Sequence, residues 1–96
     1  MKEGKIKKID ELVDQILERM GFYQKSKEYE VCEVWPEVVG NQIASRTKAI
    51  RVENGTLFVT FTSATVRNEI LMVKEGLTRA LNKRVGREVI REIIIR

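Results

Sequence analysis

The sequence predicts an α+β domain in which helices cover one face of a three-stranded sheet, in the order helix, helix, strand, strand, helix, strand. Three patterns carry that prediction. Ile50 to Phe61 holds two runs of apolar residues at a period of two, meeting at Asn54-Gly55, and only extended chain gathers such alternation onto one face. Before and after it, apolar residues recur at three- and four-residue steps, the period of a helix. The chain closes on EVIREIIIR, rich enough in β-branched residues to be a strand.

The first helix is expected over about Lys7 to Met20, where Ile6, Ile9, Leu12, Val13, Ile16, Leu17 and Met20 form one stripe. Asp10 and Glu11 suit the positive end of its dipole, and Gly21 sits where a left-handed cap belongs. Its stripe could meet a partner helix; burial in the domain's own core is the expectation. Phe22 to Ser26 reads as a connection. A second helix then runs from about Lys27 toward Gly40, with Tyr29, Cys32, Trp35 and Val39 on one side and Val31, Val34 and Val38 broadening the arc. Pro36 removes a helical hydrogen bond, which predicts a kink near Val34 and Trp35 or two short helices. Trp35 itself reads as a core anchor rather than a stacking platform.

Ile43 and Ala44 extend the apolar face to Thr47, where the first strand opens. Asn-Gly is the strongest short signal for a two-residue type I′ turn, because both central residues need positive φ. Glu53 and Thr56 should face each other as the last pair before it. Ser63 is the expected N-cap of a third helix reaching Asn82 or Lys83, whose buried line is Val66, Ile70, Val73, Leu77 and Leu81. Gly76 inside it would mark a close helix-to-sheet approach. Gly86 ends the connection, and Glu88 to Arg96 forms the last strand. An all-antiparallel sheet in order 2-1-3 is expected over the mixed alternative.

Composition limits the chemistry. The 96 residues make one domain, 1–96, with one core. The absence of histidine removes the commonest general base and metal ligand. A lone Cys32 can form neither an internal disulfide nor an ordinary zinc site. No window is long and apolar enough for a membrane span, and acids stand where a signal peptide would be apolar. The expectation is a cytoplasmic protein with no enzyme activity, no cofactor, no metal and no membrane partner. The net charge of +4 is uneven: residues 63–96 hold eight bases against four acids, while the two preceding segments balance. A one-sided positive field favours a polyanion.

Trp35, Val38, Val39, Gly40, Ile43, Ala44 and Thr47, followed by Asn54, Gly55, Leu57, Val59 and then Ser63-Ala64 before a helix, form a pattern covering nearly the whole chain. It resembles the DciA family of bacterial replication proteins. The resemblance implies a KH-like domain that binds DNA, contacts the replicative DnaB-type helicase and assists its loading. Val66 stands where many members have tryptophan, and the sequence holds the domain without the C-terminal tail many members carry. No second glycine accompanies Gly40, Gly55 or Gly86 at the spacing of the GxxG loop that KH domains use on RNA. An RNA-binding or protein-interaction adaptor using the same sheet and basic helix is the alternative.

The expected nucleic-acid surface is Arg67, Lys74, Arg79, Lys83, Arg84 and Arg87, along the third helix and its exit, with Arg51 on the hairpin. Cations at a helix C-terminus also answer its dipole, but six exceed that need. They would hold phosphates of single- or double-stranded DNA weakly, without reading sequence, and in a salt-sensitive way. Phe58, on the hairpin face with Thr47, Ala49, Arg51, Thr56, Thr60 and Thr62, is either open for base stacking or a protein contact, or buried under the first helix.

Overall fold

The computed structural model describes the backbone of residues 2–96 and the side chains of residues 11–96. Its elements are α1 (Lys2–Val39), α2 (Asn41–Ala44), β1 (Thr47–Glu53), β2 (Thr56–Phe61), α3 (Ala64–Met72), α4 (Lys74–Val85) and β3 (Glu92–Ile95). The class and element order are those expected, with the third helix in two pieces.

The first correction is at α1. Gly21 does not cap a helix, and Phe22 to Ser26 does not connect two: one helix of 38 residues runs through both. At 1.5 Å per residue it is about 57 Å long, which accounts for most of the molecule's 66 Å extent. Only its downstream part is built into the core, through Val31, Val34 and Trp35 with Val38 and Val39 beside them. Leu12, Val13, Ile16, Leu17 and Met20 are exposed, so the expected burial of that stripe does not occur. The readings of Ile6, Ile9 and the Asp10 side chain fall outside the residues whose side chains are described. Tyr29, expected with Trp35, is exposed as well; it lies about 120° around the helix from Trp35 at 100° per residue.

Pro36 lies within the helix, and its carbonyl accepts a hydrogen bond from Gly40 N–H at 2.9 Å. Gly40 takes φ +88° and turns the chain into α2. Trp35 is 2% exposed. Its Nε1–H donates to Thr47 Oγ1 at 3.0 Å, and the Thr47 hydroxyl donates to the Ile43 carbonyl at 3.0 Å. The indole thus ties α1 to the start of β1 with its own N–H paired.

The hairpin is as expected. Asn54 and Gly55 have φ 50° and 83°, and the strands pair Val52 with Leu57 and Glu53 with Thr56. A register shift between Thr47 and Ala49 moves Thr47 off the face shared by Arg51 and Phe58. It sits opposite Phe61 instead, on the Trp35 side.

The sheet order is β1-β2-β3, with β2 antiparallel to β1 and parallel to β3. The all-antiparallel 2-1-3 sheet is therefore incorrect. The most apolar strand takes the centre: Leu57, Val59 and Phe61 of β2 are all buried, whereas β1 carries Lys48, Arg51 and Glu53 and has no fully buried residue. Residues 62–91 supply the long helical crossover that a parallel pair requires.

Ser63 caps α3, its Oγ accepting from Val66 N–H at 3.3 Å. The helix expected to continue breaks at Val73, whose φ of −119° and ψ of 16° leave the α region. Gly76 marks no close approach, since a Cβ there would meet only an Arg79 guanidinium nitrogen at 4.0 Å. The last strand is shorter than the expected Glu88 to Arg96 because Asn82 holds the preceding loop. Its Oδ1 accepts from Val89 and Ile90 N–H at 2.9 and 3.0 Å, and its Nδ2 donates to the Ile90 carbonyl at 2.8 Å. Those backbone groups are thereby taken from any strand ladder.

Candidate nucleic-acid interface

α4 buries Leu77, Leu81 and Val85 at four-residue steps. That places Arg79 and Lys83, also four apart, on the opposite side, and both are exposed. Lys74 and Arg79 line a groove between α4 and β3 with Thr78, Arg91 and Ile93, where Glu75 and Glu92 contribute acid. Arg87 follows the left-handed Gly86 at the helix exit and stands over the Tyr23 ring at 5.1 Å. Arg87 and Arg91 then line a second hollow beside the hairpin turn, with Gln24, Glu28, Asn54 and Gly55.

The six expected cations do not form one strip. The break at Val73 sets Arg67 apart on α3, where its Nε is buried without a hydrogen-bond partner. Arg84 forms an ion pair with Glu37 of α1. Lys74, Arg79, Lys83 and Arg87 remain around α4, and none of them is in an ion pair among the described residues. Arg91 joins them. Its backbone N–H donates to the Gly55 carbonyl at 2.8 Å, and its guanidinium donates to the Asn54 carbonyl at 3.1 Å. Reading Glu88 to Arg96 as one strand hides it, because the loop held by Asn82 is what brings Arg91 over the turn.

The hairpin's outer face is a separate cluster. Arg51 pairs with Phe58 across the strands, and Ile94 pairs with Phe58 from the other side. The Arg51 guanidinium lies 4.3 Å and that of Arg96 5.4 Å from the centre of the Phe58 ring, within the range of cation–π attraction. Phe58 is half-buried under these two side chains, on the face turned away from the buried Leu57 and Val59. Phe58 thus lies on the outer sheet face, covered in part by two arginines. Arg51 also forms an ion pair with Glu53, so its charge is partly answered. Arg96 was hidden by the 2-1-3 order, which keeps the last strand away from β2.

Burial, then the neighbouring Glu28 carboxylate, push the Cys32 thiol above its ordinary pKa, so it stays protonated and weakly nucleophilic at neutral pH. Among the described residues no group of three or more His, Cys, Asp or Glu side chains could hold a metal ion. No helix is long and apolar enough to cross a membrane.

The family model described as Dna[CI] antecedent, DciA matches residues 8–95, from the upstream part of α1 to the end of β3. The chain belongs to the DciA family. That family is associated with DnaB-type helicase loading in replication, and it is an accessory family rather than a known enzyme family. No curated protein sequence matches the chain.

Proposed function

We propose that the protein is a non-enzymatic, cytoplasmic accessory factor of DNA replication that binds DNA through the basic surface around α4, contacts the replicative DnaB-type helicase and assists its loading. Family membership supports the helicase association. The DNA contact rests on one observation: Lys74, Arg79, Lys83 and Arg87 surround α4 unpaired among the described residues, in the part of the chain that holds all the excess positive charge. Point charges at this spacing suit phosphates. They offer no fixed set of donors and acceptors to base edges, so binding should be weak, indifferent to sequence and steeply dependent on salt.

Arg79→Glu combined with Lys83→Glu tests this without touching the Arg84–Glu37 pair or the Arg91 contacts to the turn. Fluorescence anisotropy on labelled single- and double-stranded oligonucleotides should show weaker binding to every sequence. On duplex DNA, the slope of log affinity against log salt should flatten by about two. Unchanged affinity in a folded variant would refute the α4 surface as the DNA site. A clear preference for RNA would favour the adaptor reading instead. Capture of the same organism's replicative helicase, with and without DNA, tests the partner.

A further inference from the structure

The hollow beside the hairpin turn, with a volume of about 610 Å³, is walled by charges of both signs that do not meet. Arg87, Arg91, Glu28 and Glu88 all line it, yet none of them is in an ion pair among the described residues, where the pairs are Lys27–Glu30, Arg51–Glu53 and Arg84–Glu37. Glu88 is exposed, and water can answer its charge. Glu28 is only 9% exposed, and the carboxylates that accept hydrogen bonds among the described residues are those of Glu30, Glu37 and Glu53. A charged group so far from water is ordinarily paired. Its oxygens are not sealed in either, since the fully enclosed side-chain atom without a partner among the described residues is Arg67 Nε. What remains open of Glu28 opens on the hollow that it lines.

The two guanidiniums are held in place without a carboxylate. Arg91 donates from its backbone to the Gly55 carbonyl and from its side chain to the Asn54 carbonyl, and a Cβ on Gly55 would stand 2.9 Å from its Nε. Glycine thus admits the arginine as well as the turn's φ of 83°. Arg87 is held over the Tyr23 ring. A guanidinium has five N–H donors, so Arg91 keeps most of its own for an anion, and phosphate oxygens suit that fork.

A ligand that joins these walls carries an anion at one end and N–H donors at the other. A nucleotide does so: its phosphates suit Arg87 and Arg91, and the edge of its base suits a carboxylate, which can only accept. Guanine presents N1–H and its 2-amino group side by side, one for each oxygen. Adenine and cytosine offer a single amino group, and thymine sets its N–H between two carbonyls that a carboxylate repels. Base pairing occupies the same edge, so the strand must be single. Continuity favours a strand over smaller zwitterions, because Arg91 also lines the groove between α4 and β3 with Lys74 and Arg79. A backbone following those cations is led into the hollow.

We infer that the hollow is a pocket for one guanine of single-stranded DNA, with Glu28 accepting from its N1–H and 2-amino group while Arg87 and Arg91 hold adjacent phosphates. This pocket presupposes the DNA contact proposed for α4, whose cations take any sequence; the hollow adds a preference at one base.

Fluorescence anisotropy at low salt compares a labelled oligothymidylate with the same strand carrying one central guanine. Guanine should tighten binding about tenfold, the size of one two-point base contact. Hypoxanthine in its place keeps N1–H and lacks the 2-amino group, so most of the gain should vanish, a readout that needs no variant. Glu28→Gln keeps the size of the side chain, sets an amide NH₂ where an acceptor stood, and should bring the two strands to equal affinity. Equal binding of the two strands by the unaltered protein overturns the pocket, and so does a guanine preference that survives hypoxanthine or Glu28→Gln. If Arg79→Glu with Lys83→Glu still weakens both strands in that case, the α4 surface stands without the pocket; if no strand binds at all, both fail together. Free guanosine monophosphate that binds as tightly as the strand overturns the strand as the ligand.

Discussion

The two parts of α1 have the same kind of sequence and opposite fates. Upstream, Leu12, Val13, Ile16, Leu17 and Met20 form a clear amphipathic stripe, yet all five are exposed. Downstream, Val31, Val34 and Trp35 follow the same period and are buried against β2, α4 and the segment leading to β3. Periodicity fixes the conformation of a segment and the direction its apolar side faces. It carries no information about whether the cover lies in the same chain. The downstream part finds cover because the sheet and α4 meet it there, and the upstream part has passed beyond them.

The largest expected effect separates the two parts directly. Trp35→Ala removes a side chain that is 2% exposed and packs toward Phe61, with ring centres 6.3 Å apart, so it should cost about 3 to 5 kcal/mol. Leu17→Ala, a truncation of similar kind in the upstream part, should change stability by less than about 0.5 kcal/mol. Urea unfolding of both variants checks the comparison. A cost above 2 kcal/mol for Leu17→Ala would mean that the stripe is covered within the chain.

A smaller effect tests how the downstream part is anchored. Thr47→Val keeps the size of the side chain but leaves the indole N–H of Trp35 without its acceptor. The expected cost is about 1 to 3 kcal/mol, the penalty of an unsatisfied buried donor. Equal stability in urea would mean that water replaces the threonine and that apolar packing alone holds α1 to β1.

Much of this was legible in the sequence, and the errors share a cause. The Asn54-Gly55 turn, the Ser63 cap and the burial of Trp35 follow from local chemistry, and the fold class follows from the order of periodic segments. The sheet order, the break at Val73 and the loop before β3 are set by long-range partners: the demand that β2 be central, and the three hydrogen bonds of the Asn82 side chain. The basic surface was half legible for the same reason. Sequence placed the excess charge in the last third, but the Arg84–Glu37 pair, the separation of Arg67 and the arrival of Arg91 at the turn all depend on tertiary contacts. At Gly21 a local signal itself misled, because a glycine in a helix pattern reads equally as a cap or as an interior residue.

That ambiguity yields the smallest and most decisive effect. In a continuous helix Gly21 has ordinary helical backbone, and a Cβ built there meets nothing within 4 Å. Gly21→Ala should therefore strengthen the helix by about 0.5 to 1 kcal/mol, by reducing the backbone freedom lost on folding. Had Gly21 been a left-handed cap, the same methyl would be strained and the substitution would destabilise. The sign thus distinguishes the two backbones. Gain should appear as greater helical circular dichroism and slower hydrogen exchange around residues 18–24, with little change in the urea midpoint of the core, because the upstream part contributes little to it. Lower helicity would show that α1 breaks at Gly21. The stripe would then be free to fold back on its own domain, and the contrast between the two parts of the helix would disappear.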